Sequence, residues 1–460
     1  MENHKIIAPG HRLTRRTFLE TATAGAAAWS LTRSQMLNAA ESTSITAKEA
    51  LALSEQRRTE LVELLSQLVG VRSHSGESAA AAQEVVKSYL AKLPYDVESF
   101  ADNPSRFAEH ADFMPPEPPG DGPFVNVVAK PHEGNGARVA LFAHIDSHVV
   151  ESGWTTDPYD AVVDDGKLYG LGSADDKGGV AAMLVAAAAL SDAGHPAPIV
   201  ISHHGKGGGS RGSLPVFDRL KDSGKKLDAV LYAHPAETGR GLNDIKHVVR
   251  GVIDMTLTVD GWRGKQLEIG LPDSALWADG GDALDACWRA IDHLKDRMLP
   301  GTEVNVGKLD AGDRTGSVPD RARAEIRVLF DGDHTWQSLL DSMQTELNAF
   351  TSTLPKRNGT FRLSIESAGM RTNPGAVPWD SARCLVLRHA IEAVTGKAPS
   401  SYPNHYGGDI RFPIRLLNIP AFGIGTLAGN FYGPNEWVDI DDLVRLVAVL
   451  ILTTSGWTRV

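Results

Sequence analysis

The sequence predicts a mostly parallel α/β sheet with helices on both faces, joined to a separate α+β insert. Three observations predict this fold class. Apolar runs such as 139–143 and 229–233 are separated by helical stretches, the pattern of buried parallel strands. From about Gly251, apolar and polar residues alternate, which indicates half-exposed strands. Near Ala368 the pattern of helix and apolar strand returns.

These changes of pattern divide the chain into four predicted parts. They are an export signal (1–40), the first part of the α/β domain (41–250), the α+β insert (251–368) and the second part of the α/β domain (369–460). In chain order, strands are predicted over 139–143, 199–202, 229–233, 253–259, 322–330 and 421–424, and helices over 79–93, 179–190, 214–220, 283–294, 336–350, 381–394 and 441–452.

The first forty residues are predicted to be an export signal rather than part of the folded domain. Arg15 and Arg16 are followed by Phe18 and Leu19, and then by an Ala-rich, weakly apolar stretch that ends near Leu31. This arrangement resembles a twin-arginine signal, which directs the export of folded proteins. The sequence therefore predicts a periplasmic or secreted protein.

Composition excludes several other classes of partner. The chain has 460 residues, with 46 Lys and Arg against 57 Asp and Glu, for a net charge of −11. Without a basic excess to neutralise phosphates, nucleic acid is not an expected partner. The two cysteines, Cys287 and Cys384, are too few for a disulfide framework. No uncharged apolar run reaches the ~18 residues of a membrane span.

Metal-binding side chains follow several of the predicted strands. His144 and Asp146 come after the strand at 139–143, His204 after 199–202 and His234 after 229–233, while Asp175 begins a helix. In α/β sheets the ligand crevice lies at the carboxyl ends of the strands. Any one of these histidines alone would be typical of a histidine at a strand end whose hydrogen bonds are satisfied by the protein. Their joint placement favours a metal site built from imidazole and carboxylate. Asp146 is positioned to accept the free N–H of a ligating imidazole.

At this point the sequence resembles a family, the co-catalytic di-zinc metallopeptidases that include acetylornithine deacetylase, succinyl-diaminopimelate desuccinylase, aminoacylase and glutamate carboxypeptidase. The resemblance covers essentially the whole mature chain. It rests on His144-Ile145-Asp146, Asp157-Pro158-Tyr159, Asp175-Asp176-Lys177-Gly178-Gly179, His234-Pro235, Arg250-Gly251, Gly407-Gly408-Asp409-Ile410-Arg411 and Pro434-Asn435-Glu436-Trp437-Val438. It implies an α/β catalytic domain with an inserted lid or dimerisation domain, and through that insert a homodimer.

The resemblance also implies a ligand set, from which this chain departs. His144 is implied as a metal ligand, Asp175 as the bridging carboxylate, and His234 stands where the family has a carboxylate before proline. The general base of the family falls on Gly209, and its two remaining ligands fall on Ser210 and Tyr432. We therefore expect one divalent metal per chain, zinc or manganese, held by His144, Asp175 and His234.

Other polar residues are candidates for the missing roles. Asp146 and His204 are the predicted catalytic residues. His148 and His405 are candidates for additional coordination or proton transfer, although each is also consistent with an ordinary surface or core histidine. Lys206 is a candidate substrate-binding residue, and the resemblance suggests the same role for Arg411.

The resulting prediction is an exported metal-dependent hydrolase that attacks a C–N bond of a small molecule with a metal-bound water. Because position 209 is glycine, an aryl-amine hydrolase of the nitroanthranilate aminohydrolase kind is one alternative. A catalytically dead binding homologue is another. The third is a serine hydrolase, since 208–212 reads G-G-S-R-G, but Ser210 lies too far beyond the apolar strand for the sharp turn which that motif requires.

Overall fold

The computed structural model describes residues 45–114, 124–132, 136–205, 208–224, 226–263, 280–297, 301–313, 317–332, 334–356, 359–403 and 405–459. The predicted export signal and Lys206 lie outside these residues. No helix in the described ranges is long and apolar enough to cross a membrane. The fold described below begins at Ala47.

A mixed, mainly parallel sheet of eight strands forms the centre of the fold, in the order β1-β2-β6-β3-β7-β16-β8-β15. Parallel pairing joins β3 to β6 and β7, β7 to β16, and β8 to β15, while β1, β2 and the β8–β16 contact are antiparallel. The strands are β1 (Tyr95–Ala101), β2 (Val125–Pro131), β3 (Gly136–His144), β6 (Ala197–His203), β7 (Ala229–Ala233), β8 (Asp244–Lys246), β15 (Ser400–Tyr402) and β16 (Ala421–Ile424).

Helices cover the sheet because its inner strands are apolar on both faces. Every residue of β6 and β7 is buried, as expected for strands with helices above and below. On one face Phe142 of β3 packs edge-to-face against Phe217, with ring centroids 5.4 Å apart. The helices are α1 (Ala47–Gln56), α2 (Arg58–Val69), α3 (Gly76–Leu90), α4 (Gly178–Asp192), α5 (Ser213–Asp222), α8 (Ala382–Thr395), α9 (Arg411–Leu417) and α10 (Ile440–Trp457).

The stretch between Gly251 and Thr372 forms a second, fully antiparallel sheet with its own core. Its order is β11-β12-β10-β13, from β10 (Gly251–Asp260), β11 (Glu303–Ala311), β12 (Arg321–Phe330) and β13 (Arg362–Thr372). Two helices, α6 (Ala283–Arg297) and α7 (Trp336–Thr351), pack their apolar residues against it. Burial alternates along β12, the period expected of a sheet covered on one face. The lid or dimerisation role of this region stays a prediction.

Two small sheets complete the fold, and one of them supports the candidate site. Strand β18 (Trp437–Asp439) pairs with β5 (Lys167–Tyr169), between β17 (Ala428–Gly429) and β4 (Val162–Asp164). This pairing brings residues just before Trp437 beside the turn that leads from Tyr169 into α4. The other small sheet joins β9 (Val248–Val249) to β14 (Gly375–Ala376).

The structure confirms the predicted fold class and the presence of each predicted strand and helix, but the helix predicted over 79–93 ends at Leu90. Most observed elements extend one to three residues beyond the prediction at one or both ends. Strands such as β1 and β11 were not predicted, since most of their side chains are exposed or half-buried and carry a weak apolar pattern.

Candidate metal centre

Three buried side chains meet at the carboxyl end of the central sheet. His144 is the last residue of β3, His234 directly follows the neighbouring parallel strand β7, and Asp175 lies in the helical turn Ser173–Lys177 that leads into α4. Their ligand atoms all lie within 4.8 Å of one another, the one such group among the described residues. Adjacent parallel strands end at the same edge of a sheet, so the two histidines are brought together by the strand pairing.

The contacts of the two imidazoles are compatible with the tautomer in which Nε2 can bind a metal ion. Nδ1 of His144 lies 3.1 Å from the carbonyl oxygen of Asp146, and Nδ1 of His234 lies 2.9 Å from that of Pro235. A carbonyl only accepts, so these contacts are hydrogen bonds in the tautomer that carries the proton on Nδ1, which is the tautomer that a metal-binding Nε2 requires. Both Nε2 lone pairs then face the same carboxylate oxygen of Asp175, at 2.7 and 3.0 Å.

In that tautomer, the two nitrogen lone pairs face an anionic oxygen, and this arrangement is repulsive unless a cation lies between the nitrogens and the oxygen. Burial, reinforced by the charge of Lys246, lowers the pKa of His234 to about 3, so this imidazole is neutral, as a ligand must be. The three residues therefore fit a divalent ion, which would have three protein ligands. This is the set predicted from the sequence, and the structure brings its members together.

Lys246 is a neighbour of the centre that the sequence did not reveal. Its Nζ lies 2.6 Å from Nδ1 of His234 and 2.8 Å from the carbonyl oxygen of Pro235. Burial lowers the pKa of Lys246 to about 8, although nearby carboxylates oppose the shift. Its ammonium donates to the carbonyl oxygen of Pro235, and its charge favours the neutral form of the His234 imidazole. A lysine on a three-residue strand carries no local signal of such a contact.

The predicted second contact of His144 is present. An oxygen of Asp146 lies 3.3 Å from Nδ1 of His144 and accepts the backbone N–H of Gly205 at 2.8 Å. The other oxygen is 3.9 Å from Nδ1 of His204. Within the described part of the chain Nε2 of His204 has no hydrogen-bond partner, and burial lowers the pKa of His204 to about 4.

The glycine-rich loop after β6 has no room for the family's general base. A Cβ at Gly209, whose φ is +70°, would lie 2.5 Å both from an oxygen of Asp409 and from the ring of Phe412. Ser210 is fully buried, and its hydroxyl accepts the backbone N–H of Met114 at 2.8 Å. A serine enclosed in this way is poorly placed to attack a substrate.

Tyr432, at the position of the family's C-terminal ligand, contacts the centre through its hydroxyl. This hydroxyl hydrogen-bonds Asp175 and lies 3.2 Å from Oε1 of Glu237. Burial, followed by the charges of Asp175 and Glu237, raises the pKa of Tyr432, so the phenol stays neutral. A neutral phenol binds a divalent ion weakly, because metal ligands are bound in their deprotonated form.

The remaining candidates lie around this group without joining the three-residue cluster. His148 is exposed and packs edge-to-face on Tyr432, with ring centroids 4.4 Å apart. His405 is half-buried, with its ring centroid 6.3 Å from that of His234. Arg411 is fully buried, and its guanidinium donates to the carbonyls of Gly407 and Gly408 at 2.6 and 3.0 Å. In this conformation Arg411 supports the backbone. The metal and substrate roles predicted for these three residues stay predictions.

Comparisons with known proteins agree with this geometry. The sequence model described as "Peptidase family M20/M25/M40" matches residues 140–455. Succinyl-diaminopimelate desuccinylase of Methylobacterium radiotolerans is 30% identical over 333 residues, covering 68% of this chain and 80% of the relative. That of Rhodospirillum centenum is 28% identical over 362 residues, covering 75% and 87%. Among solved structures, aminopeptidase PepT of Bacillus cereus superposes with a TM-score of 0.66 at 16% identity, covering 87% of this chain and 98% of that one, and so shares the fold.

Proposed function

Since the chain belongs to peptidase family M20/M25/M40 and is a metal-dependent hydrolase, we propose that it is an exported enzyme that hydrolyses a C–N bond of a small molecule with one divalent ion per chain. The ion would be held by His144, Asp175 and His234. The relatives' names describe removal of a succinyl group from diaminopimelate, so a small acylated amine is the substrate class to test first.

One observation carries the single-ion proposal: the side chains of the second half of the site are engaged elsewhere. Ser210 accepts the amide of Met114, and the hydroxyl of Tyr432 hydrogen-bonds the carboxylate of Asp175. Asp175 alone cannot hold a second ion against water. In the first half, by contrast, three ligand atoms converge.

The chain's own residues orient the ligands and supply a route for protons. A divalent ion held here would polarise a substrate oxygen and lower the pKa of a water molecule beside it. Asp146 keeps the Nδ1 proton of His144 in place, so Nε2 stays available as a ligand. We assign proton transfer to His204, because its neutral imidazole lies beside Asp146 and its Nε2 has no partner among the described residues.

The test combines metal analysis with a substrate panel. Protein purified from zinc- and manganese-supplemented culture should hold about one ion per chain. The panel should contain N-succinyl and N-acetyl amino acids, dipeptides and a nitro-substituted aryl amine. Hydrolysis of an N-acyl compound that is abolished by a chelator supports the proposal, whereas chelator-sensitive turnover of the aryl amine alone supports the aryl-amine alternative. Two ions in every preparation would refute the single-ion proposal.

Export is the second part of the proposal and rests on Arg15, Arg16 and the apolar stretch behind them. Replacing both arginines by lysine keeps the charge but removes the twin-arginine feature. We expect the Arg15→Lys, Arg16→Lys precursor to accumulate in the cytoplasm, as measured by cell fractionation. An Arg33→Lys variant is the matched control. Equal periplasmic yields of the double variant and the wild type would contradict export by this route.

A further inference from the structure

A buried carboxylate far away in sequence holds the turn that carries Asp175. Glu436 is 1% exposed, and its Oε1 accepts the backbone N–H groups of Ala174 and Asp175 at 3.0 and 2.9 Å. Its Oε2 accepts the N–H of Gly172 at 2.8 Å. The backbone carbonyl of Glu436 accepts a fourth N–H, that of Gly170. Glu436 therefore binds four of the six backbone amides between Gly170 and Asp175.

These bonds fix the backbone at the residue whose side chain must meet two imidazoles. The turn has an irregular conformation, with φ −135° and ψ 88° at Asp175, so regular helical hydrogen bonds do not determine its shape. An ionised carboxylate makes stronger hydrogen bonds to amides than a neutral acceptor does. Without it, buried N–H groups would lack an acceptor, and a buried donor left unsatisfied is costly enough to drive rearrangement.

Glu436 is itself fixed by the small sheet. It immediately precedes β18, which pairs with β5, and Tyr169 of β5 leads directly into the turn. On its other side, Oδ1 of Asn435 accepts the backbone N–H and the hydroxyl of Thr155 at 3.0 and 2.8 Å. The carboxylate thus stands on an anchored segment, so it can impose a position on the turn.

We propose that Glu436 is a positioning residue for ion binding: it holds the carboxylate of Asp175 where both His144 and His234 can share an ion with it. The inference rests on the proposed function, since it assumes that these three residues bind a divalent ion. Glu436 lies 261 positions after Asp175 along the chain and contributes no ligand atom to the cluster. The proposal therefore adds a residue that acts on the ion only through Asp175. Loss of a group that orients a metal ligand typically lowers metal affinity by about 10–100-fold.

The experiment compares a graded series of variants in metal-free protein. Glu436→Met has a similar volume and no acceptor, and Glu436→Gln keeps one acceptor oxygen, which can serve Ala174 and Asp175. Glu366→Gln, on the exposed side of β13, is the matched control. Zinc dissociation constants are measured by calorimetry, the absorption spectrum of the cobalt-loaded protein reports the coordination geometry, and thermal melting of the metal-free protein reports stability separately.

We expect zinc affinity to fall by about 10–100-fold in Glu436→Met, by less in Glu436→Gln and not at all in Glu366→Gln, with a changed cobalt spectrum in the first two. A folded Glu436→Met variant with wild-type zinc affinity and cobalt spectrum, even with a lower melting temperature, would overturn the inference and leave the proposed function intact. If Glu436→Met does not fold, the same comparison on Glu436→Gln decides. A wild-type protein that binds neither zinc nor cobalt would refute the proposed function itself.

Discussion

The candidate site has two halves whose side chains are held in different ways. The strand-end half contains His144, His234 and Asp175, and the loop half contains Gly209, Ser210 and Tyr432. His144 and His234 end strands in the middle of the central sheet, and with Asp175 they form a cluster of ligand atoms. Gly209 and Tyr432, where the resemblance places the missing base and a ligand, lie in loops. There the side chains of Asp409 and Phe412 fill the space beside Gly209.

This difference teaches that side chains held by a hydrogen-bonded frame, whether a strand end or a turn bonded to Glu436, preserve a site, whereas other loops allow it to change. The hydrogen bonds of a sheet fix the spacing of neighbouring strands, so side chains at their ends keep their relative positions. A loop has no such ladder, and its side chains can exchange a ligand role for a packing or hydrogen-bonding one. We therefore expect substitutions in the strand-end half to abolish ion binding and those in the loop half to affect stability.

The largest expected effect tests the strand-end half. His144→Ala and His234→Ala each remove one of three ligands, so the ion content should fall from about one per chain to below about 0.1 in elemental analysis of dialysed protein. His132→Ala replaces an exposed histidine just after β2 and should keep the wild-type content. Full ion content in either ligand variant would show that the cluster is not the metal centre.

The next effect tests whether packing around Gly209 excludes a larger side chain at the position of the family's general base. Gly209→Ala adds a Cβ into the space of Asp409 and Phe412 at a φ of +70°, so both steric overlap and backbone strain apply. We expect a loss of about 2–4 kcal/mol in the free energy of unfolding, measured with urea. Gly224→Ala has a φ of +65° and no atom within 4 Å of the added Cβ, so it isolates the strain. Equal losses in the two variants would contradict the packing argument.

A smaller, pH-dependent effect comes from Asp409 in the same half. Burial, partly offset by Arg411, raises the pKa of Asp409 to about 6, whereas in the unfolded chain it returns to its ordinary range. A raised folded pKa stabilises the protein below pH 4, and this contribution is lost as pH rises through 6. Relative to Asp409→Asn, the wild type should lose up to about 3 kcal/mol between pH 4 and pH 7. The exposed Asp222→Asn variant is the control, and a pH-independent difference would refute this sign.

Sequence patterns predicted the strand-end half and only part of what surrounds it. The apolar runs of β3 and β7 are continuous, and a histidine follows each run directly. The strands could therefore be predicted from the local sequence, and the two histidines could be placed at one edge of a sheet. Asp175 followed from the resemblance. The contact of Asp146 with His144 could be foreseen because the two residues lie two positions apart on the same chain segment.

The contacts that could not be predicted join distant segments through polar side chains. Glu436 accepts amides 261 to 264 positions away, and nothing in the Pro-Asn-Glu string specifies which amides those are. Lys246 reaches His234 only because β8 lies beside β16 in the sheet. Likewise, the overlap of Phe412 with a side chain at position 209 can be predicted only when the position of α9 against the loop is known. Such contacts depend on tertiary packing, for which a local pattern gives no signal.

The smallest expected effect is the most direct comparison of the two halves. Tyr432 is the residue through which the loop half touches Asp175, and its neutral hydroxyl is a hydrogen-bond donor rather than a ligand. Tyr432→Phe should therefore leave the ion content at about one per chain. It should lower the free energy of unfolding by about 1.5–3 kcal/mol, the value of a hydrogen bond to a charged group. Tyr402→Phe, on β15, is the matched control. If ion content fell by one in Tyr432→Phe alone, the phenol would be a ligand, and the contrast between a binding half and a packing half would have to be given up.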